Sequence, residues 1–342
     1  MTHVVQVVPH VRMGGMQRMA MLLDEHLPSA GVSSTLLDLQ SMRERQSPAS
    51  LWRQLARSWR TERPEAVMAH TVLAAALALT AARAAGVDRR VLVIHASQPL
   101  LGAPKSIVVA LLGVTRVATD VVVCGHAALA TFQPWLRVVA RAKAIPNAIP
   151  VPQTHADEPE PTFDSIDGMR SSRPVRVLVA SRLVREKRVD VAIRAVAGST
   201  ASLTVCGDGP LLEELRTLAE TTGADVTFAG RVPSEEMAGQ YRNHDVLAFP
   251  SEREGLPLVM LEAASHGLAV IASDRPFNRE VLGDAAWYCD GDDPMVWRAG
   301  LDALAADDSV RRDLAASARE RIDLFDLSTM VRRYAELIVG RG

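Results

Sequence analysis

Two glutamates, Glu254 and Glu262, stand eight residues apart in the segment FPSEREGLPLVMLEAASHGLAVIAS. A Gly-Leu-Pro turn lies between them and leads into a stretch with the pattern of a helix. Because Gly255 opens a loop at this predicted helix N-terminus, free backbone N–H groups such as those of Leu258 and Val259 favour a phosphate there. The segment therefore predicts a phosphate site flanked by two carboxylates.

Each glutamate also has an ordinary interpretation, as a solvated loop acid for Glu254 and as an exposed helix residue for Glu262. The second is unattractive because Glu262 follows Leu261 and precedes two alanines, and a carboxylate in such an apolar run normally needs a partner. We expect Glu262 to accept hydrogen bonds from ribose hydroxyls, and Glu254 to reach a sugar beyond a diphosphate.

A basic pair and a glycine turn precede this segment. Arg182 and Lys187 follow the predicted strand VRVLVA, where a guanidinium and an ammonium would neutralise a diphosphate. Taken alone, such a pair is more often a solvated loop. Gly207 belongs to a Gly-Asp-Gly-Pro turn that follows the strand ASLTVC and begins a helix. Besides shaping the turn, Gly207 would permit close approach of a nucleotide.

The first half of the chain offers weaker candidates. Gly14 and Gly15 lie between the opening strand and its helix, as in a phosphate-approaching loop, but lack the full Gly-x-Gly-x-x-Gly fingerprint. His95 ends the strand VLVIH, and His70 and His126 occupy comparable positions with weaker claims. A satisfied core imidazole or a surface histidine remains the alternative at each of these positions.

Together these motifs resemble the family 4 retaining glycosyltransferases of the GT-B fold, and the likeness covers most of the chain. Glu254 and Glu262 match the family's Glu-x7-Glu motif, SRLVREKRVD its Arg-x4-Lys element, VCGDGPLLEEL its Gly-Asp-Gly-Pro turn and IPNAIP its domain-crossing segment. Ser181 and Leu256 depart from the usual Gly and Phe.

The resemblance implies transfer of a sugar from a UDP- or GDP-type donor to an acceptor hydroxyl, with retention, in the synthesis of a cell-surface polysaccharide, glycolipid or related glycoconjugate. It assigns a catalytic role to four residues: His95, Glu254, Arg182 and Lys187. The nucleotide-sugar-binding residues that it implies are Gly14, Gly15, Arg182, Lys187, Gly207, Glu254, Gly255, Leu258, Val259 and Glu262.

The surrounding pattern is an α/β alternation of short β-branched runs and segments of helical period. Strands are predicted at 3–8, 34–39, 66–69, 91–95, 120–124, 175–180, 202–206, 225–229, 245–249 and 269–272. We expect two Rossmann-like domains facing each other across a central cleft. The predicted divisions are an acceptor-binding domain (1–150), a linker (151–173), a nucleotide-sugar-binding domain (174–325) and a helix that crosses back to the first domain (326–342).

Charge is distributed unevenly. Residues 1–150 hold 16 Lys and Arg against 8 Asp and Glu, whereas the rest of the chain holds 22 against 32. The basic half would attract phosphate or anionic lipid. Nucleic acid is not expected, because aromatic residues make up only 4% of the chain. The helix LWRQLARSWR has Trp52 and Trp59 on one face and arginines opposite, a pattern that indicates either ordinary packing or contact with an anionic membrane.

The chain lacks the pattern of a secretory signal and any long apolar span, so we expect a cytoplasmic protein, peripheral to the inner face of the membrane if the membrane contact is real. Cys124, Cys206 and Cys289 are expected to be buried thiols. No cofactor is expected. No catalytic metal is expected either, since the one dense acidic run, DGDDP at 290–294, has the pattern of a surface loop.

Two alternatives from other classes share the nucleotide site. A GT-B-fold nucleotide-sugar epimerase would isomerise its donor without an acceptor. A non-catalytic sugar-nucleotide-binding subunit would bind the donor without hydrolysis or transfer. The spacing of residues alone does not choose among base, sugar and acceptor.

Overall fold

The computed structural model describes residues 2–10, 14–43, 46–150 and 174–340. The chain forms two compact units. Unit 1 contains the described residues of Met1–Ala148, Glu254–Leu256 and Phe325–Gly342, and unit 2 contains those of Ile149–Arg253 and Pro257–Leu324. The predicted linker, 151–173, lies outside the described residues.

Unit 1 is built on a parallel sheet of six described strands in the order β2-β1-β3-β4-β5-β6. The strands are β1 (Thr2–Val8), β2 (Val32–Asp38), β3 (Ala66–Ala69), β4 (Arg89–Ile94), β5 (Asp120–Val123) and β6 (Ala142–Ala144). The helices between them are α1 (Gly15–His26), α2 (Leu39–Arg43), α3 (Pro48–Glu62), α4 (Val72–Ala85), α5 (Gln98–Val114), α6 (His126–Ala130) and α7 (Pro134–Val139).

Unit 2 is also built on a parallel sheet, with the described strands in the order β12-β11-β10-β7-β8-β9. Its strands are β7 (Arg176–Ala180), β8 (Ser202–Cys206), β9 (Val226–Gly230), β10 (Val246–Phe249), β11 (Ala269–Ser273) and β12 (Trp287–Cys289). Its helices are α8 (Val189–Val196), α9 (Leu212–Thr222), α10 (Ser234–Arg242), α11 (Leu258–Ser265), α12 (Pro276–Leu282), α13 (Pro294–Ala306) and α14 (Asp308–Ile322).

The last helix, α15 (Leu327–Val339), belongs to unit 1, where it packs on α1 and on the 3-10 turn Leu27–Ala30. Its apolar face includes Tyr334 and Ile338, both buried. Asp326 caps the N-terminus by accepting a hydrogen bond from the backbone N–H of Thr329. Gly340 ends the helix in a left-handed conformation, as a C-cap requires.

The central strands are rich in β-branched residues because helices cover both faces of a parallel sheet. Every residue of β3, β10 and β11 is buried. All ten predicted strands are present, with ends that differ by at most two residues from the prediction. The short strands β6 and β12 were not predicted. The predicted buried thiols are confirmed, since Cys124, Cys206 and Cys289 are free and buried.

One hypothesis fails at α3. Its apolar face, which would have to be exposed to meet a membrane, is buried within unit 1: Leu51, Leu55, Ala56 and Trp59 are each at most 2% exposed. The helix packs against α4, and the Trp52 indole N–H donates a hydrogen bond to the Thr80 hydroxyl at 3.0 Å. Its arginines are simply the solvated side of a packed helix.

Among the described residues, no helix combines the length and apolar character needed to cross a bilayer.

Candidate functional site

The strand order of unit 2 indicates where a ligand would bind. The chain runs from β7 outward through β8 and β9, then returns to begin again at β10 beside β7. Ligands of open α/β sheets bind beyond the carboxyl ends of the strands at such a reversal. The loops that leave β7 and β10 carry the basic pair and the glutamate motif, respectively.

The loop after β7 presents Arg182 as an exposed side chain and Lys187 as a partly exposed one. Lys187 ends a 3-10 turn, Arg185–Lys187, that directly precedes α8. The backbone N–H of Glu252 donates to the carbonyl of Glu186 at 2.8 Å, which ties the loop after β7 to the loop after β10. The two loops of the reversal point are thus joined by main-chain hydrogen bonding.

The glycine turn after β8 supports this loop from below. The backbone N–H of Leu183 donates to the Asp208 carbonyl at 2.9 Å, and that of Ser181 donates to Cys206 at 3.0 Å. Gly207 has φ 153°, and a Cβ there would lie 1.8 Å from the Ser181 carbonyl oxygen. The close approach that requires glycine at 207 is therefore to the protein's own backbone. A nucleotide contact at Gly207 stays a prediction.

Leu258 and Val259 form the first turn of α11, after Pro257 at the N-cap. No side chain caps this N-terminus, and its first turn contains no acidic residue. The partial positive charge of the helix end is thus not offset locally. Glu262 follows one turn later on the same helix.

Glu262 is 8% exposed, and its partner is a tyrosine that the sequence did not suggest. The hydroxyl of the buried Tyr241, on α10, donates to Glu262 Oε2 at 2.6 Å. The Tyr241 ring also lies against His266, with ring centroids 5.2 Å apart. This contact orients the carboxylate from one side, which is the role of a supporting residue.

Glu254, Gly255 and Leu256 form the short segment that belongs to unit 1. A Cβ on Gly255 would lie 2.6 Å from the Cys124 Sγ and 2.7 Å from the His95 carbonyl oxygen. Only glycine allows the segment to lie this close to the ends of β4 and β5. The structure thus brings the Glu254 segment and His95 together in one unit.

His95 belongs to a partly buried chain of hydrogen bonds near the carboxyl ends of β1, β3 and β4. His70 Nε2 donates to Gln6 Oε1 at 2.9 Å, and the Gln6 amide donates to the Ser34 hydroxyl at 2.9 Å. Neutral His70 then has a lone pair on Nδ1, which accepts from His95 Nε2–H at 3.1 Å. The two rings are stacked, with centroids 5.4 Å apart.

This order of donors leaves His95 Nδ1 as an acceptor. That atom is buried and has no hydrogen-bond partner among the described residues. Burial lowers the pKa of His95 to about 4, and burial together with the neighbouring His95 holds the pKa of His70 well below its usual value. Both imidazoles are therefore neutral near pH 7, so His95 is suited to hydrogen bonding rather than to carrying charge.

The remaining candidates of unit 1 are more exposed. Gly14 is the N-cap of α1 and Gly15 its first residue, and the first turn of α1 contains no acidic side chain. His126 is exposed at the start of α6.

The acidic run 290–294 has structural contacts. Asp292 forms an ion pair with Arg188, and Asp293 caps α13 by accepting from the Met295 backbone N–H at 2.9 Å. Across the described ranges no group of three or more potential metal ligands is found.

Two supporting residues escaped sequence reasoning altogether, Tyr241 and Gln6. Tyr241 lies 21 residues before Glu262 on a polar helix, and no local spacing connects the two. Gln6 carried a usable signal, since an amide within the apolar strand VVQVV needs a partner when that strand is buried.

Comparison with known proteins relates the second half of the chain to a known family. Residues 167–321 match the family described as glycosyl transferases group 1. The match spans β7 to α14 and so includes Arg182, Lys187, Gly207 and both glutamates. It does not test retention, which stays a prediction.

Two curated proteins resemble part of this chain. The D-inositol 3-phosphate glycosyltransferase of Corynebacterium jeikeium is 35% identical over 147 residues, which are 38% of this chain and 35% of that protein. The phosphatidyl-myo-inositol mannosyltransferase of Mycolicibacterium smegmatis is 33% identical over 136 residues, again 38% and 35% of the two chains. The chain thus spans about a third of the length of these curated relatives.

A solved structure matches the whole chain. Anabaena HepE, crystallised in complex with UDP and glucose, superposes with a TM-score of 0.77 at 18% identity, covering 99% of this chain and 100% of that one. At this identity the likeness shows the fold. The fold is therefore the two-domain α/β GT-B fold, as the motifs predicted.

Proposed function

We propose that the protein is a glycosyltransferase that moves a sugar from a nucleoside diphosphate sugar to an acceptor hydroxyl. The observation that supports this most directly is the joining of the Arg182–Lys187 loop to the glutamate loop at the strand reversal of the domain that matches the family. Both relatives named above are sugar transferases, which does not favour an epimerase or a binding subunit.

In the proposed reaction the bond between the anomeric carbon and the diphosphate breaks. Arg182, Lys187 and the N-terminus of α11 stabilise the negative charge that develops on the leaving diphosphate. Glu262, held by Tyr241, accepts hydrogen bonds from the ribose hydroxyls. These groups supply positive charge and orientation without a metal ion.

The other half of the proposal concerns the sugar and the acceptor. Residues 1–150 form the acceptor-binding domain and residues 174–325 the domain that binds the donor. Glu254 orients the donor sugar, and the lone pair on His95 Nδ1 accepts a hydrogen bond from a sugar hydroxyl. The acceptor oxygen bonds to the anomeric carbon, and its proton passes to a leaving phosphate oxygen, with retention.

The donor would carry UDP or GDP, and the acceptor would be a glycan, a glycolipid or another hydroxyl compound of cell-surface polymer synthesis. UDP occurs in the Anabaena HepE structure, and the Mycolicibacterium relative is named for a lipid acceptor. We propose a cytoplasmic protein that acts at the inner face of the membrane, where a lipid-linked acceptor would be presented.

The direct test is a panel of UDP and GDP sugars screened for binding and for slow hydrolysis. We expect Glu262→Ala to weaken nucleotide binding, and Glu254→Ala to lower turnover with little change in binding. If both variants kept the parental kinetics, the assignment of the two carboxylates would be wrong. A sugar isomer formed without acceptor would identify an epimerase, and binding without hydrolysis or transfer a binding subunit.

A further inference from the structure

Helix α5 is apolar on all sides, yet only one side of it is buried. The helix is interrupted at Gly102, after which Ser106, Val109 and Leu112 face the core and are at most 8% exposed. The opposite side consists of Ile107, Leu111 and Val114, which are 57–66% exposed. A helix that is apolar all round normally lies in a core or a membrane, so the exposed side lacks its expected partner.

Helix α7 extends this exposed surface. Trp135 is 55% exposed and Val138 is 77% exposed. The two helices pack closely, since a Cβ on Gly113 would lie 2.7 Å from the Ala140 Cα. We call the five exposed apolar side chains of α5 and α7 the α5–α7 face: Ile107, Leu111, Val114, Trp135 and Val138.

Two arginines lie where α5 and α7 meet. Arg116 and Arg141 are exposed and line a cavity of about 190 Å³ together with Gly113. Within the described ranges neither side chain has an ion pair or a hydrogen bond. A third arginine of the cavity, Arg90, is held by backbone carbonyls, among them that of Val117 at 2.8 Å.

The charge around the α5–α7 face has one sign. Residues 91–150 contain five Lys and Arg residues and a single acidic residue, Asp120, which is paired with Lys143 at 3.4 Å. Exposed apolar residues of unit 2 have different neighbours: Met295 follows the acidic run 290–294, and Leu324 follows Asp323. Apolar exposure and positive charge therefore coincide at the α5–α7 face.

We propose that the α5–α7 face docks on the surface of an anionic phospholipid bilayer. The apolar side chains enter the boundary between headgroups and acyl chains, while Arg116 and Arg141 contact lipid phosphates. The membrane site of the protein is thus this face and not α3. The inference rests on the proposed function in one respect, because a lipid-linked acceptor would explain why the protein docks on a membrane. Docking itself requires no sugar transfer.

Flotation of the purified protein with vesicles tests this. The wild-type protein binds vesicles of phosphatidylcholine and phosphatidylglycerol at low salt and binds phosphatidylcholine alone weakly. The variant R116E/R141E loses at least about thirtyfold in binding, because each basic residue near an anionic leaflet is worth roughly a fivefold change. The variant L111E/V138E loses binding to a similar extent.

Matched controls separate this face from general charge. The variant R53E/R57E makes the same charge change on the solvated side of α3, and M295E makes an exposed apolar residue acidic in unit 2. Both keep most of their binding. Circular dichroism melts of all variants establish that they fold, and UDP-sugar binding in solution reports on the donor site separately.

Three outcomes would overturn the proposal. The wild-type protein could fail to bind anionic vesicles at low salt, or R53E/R57E could lose as much binding as R116E/R141E. Alternatively, sedimentation could show a dimer that only L111E/V138E dissociates, in which case the face binds a second copy. Loss of donor binding in the wild-type protein would count against the proposed function and leave docking intact.

Discussion

The two units are each built on a parallel sheet, but the sheets differ in strand order and hold their polar groups in different ways. In unit 2 the reversal between β7 and β10 bears charged groups on loops, with Arg182 exposed and Lys187 partly exposed. In unit 1 the reversal lies between β1 and β3, and the strand ends near it bear a partly buried neutral chain, from Ser34 through Gln6 and His70 to His95. Two parallel sheets thus support an electrostatic site in one unit and a hydrogen-bonding site in the other.

This contrast predicts that removal of charge matters most in unit 2. We expect Arg182→Ala to lower kcat by roughly 10²–10³, the range seen when one group that stabilises developing charge is removed. Arg185→Ala is the matched control, because it removes an exposed arginine from the same loop outside the proposed site. Steady-state kinetics with the preferred donor would measure both. Equal losses of kcat in the two variants would mean that Arg182 acts through its general positive charge and not at a specific site.

In unit 1, we expect a lower pH to reduce the stability of the fold. Because burial lowers the pKa of His95 from 6.5 to about 4, the unfolded chain binds a proton between these values that the folded unit does not. Stability is therefore complete above pH 6.5 and falls as the pH drops toward 4, by about 3 kcal/mol from His95 alone. Urea unfolding at several pH values would measure this.

The double variant His70→Asn and His95→Asn should flatten that pH dependence. His244→Asn is its counterpart in unit 2, where burial also lowers the pKa of a histidine. A pH profile that is unchanged by the unit 1 substitutions would mean that other groups control acid unfolding.

A smaller effect is expected in Glu254–Leu256, the part of the glutamate motif that belongs to unit 1. Gly255→Ala forces a Cβ against the Cys124 sulfur and the His95 carbonyl, and we expect a loss of about 2 kcal/mol in the free energy of unfolding. Gly239→Ala provides the control, since a Cβ at this helical position has nothing within 4 Å. It should leave stability unchanged or raise it by about 0.5–1 kcal/mol. Thermal melts of both variants would decide the comparison.

The smallest effect concerns the support of Glu262. Tyr241→Phe removes one hydrogen bond to a carboxylate and should cost about 1.5 kcal/mol in stability. Because the carboxylate loses an orienting contact, we also expect a higher KM for the donor with kcat little changed. Calorimetric unfolding and donor titrations would measure the two parts. An unaltered KM would confine Tyr241 to a structural role.

The fold could be predicted to the extent that local patterns determine it. Long β-branched runs marked the central strands, whereas β6 and β12 are three-residue edge strands that no run announces. The amphipathic pattern of α3 correctly predicted a helix, but it could not say whether the apolar face meets α4 or a membrane. That choice depends on tertiary packing, which period and composition do not contain.

The candidate site divides in the same way. The spacing of Glu254 and Glu262 and the basic pair were recognisable because each lies within one short segment of the sequence. The stacking of His70 on His95 and the partnership of Tyr241 with Glu262 join elements far apart in sequence. Such pairs become visible only when strand order sets neighbouring strand ends side by side.

Gly207 has a consequence for how tolerance to mutation should be interpreted in this chain. Saturation mutagenesis should find that position 207 rejects every other residue, since a side chain there would overlap the Ser181 carbonyl oxygen. In a screen for activity, this intolerance would look like that of a substrate-binding residue. Because the obstructing atom belongs to the main chain, no compensating side-chain replacement at 181 can restore the lost variants.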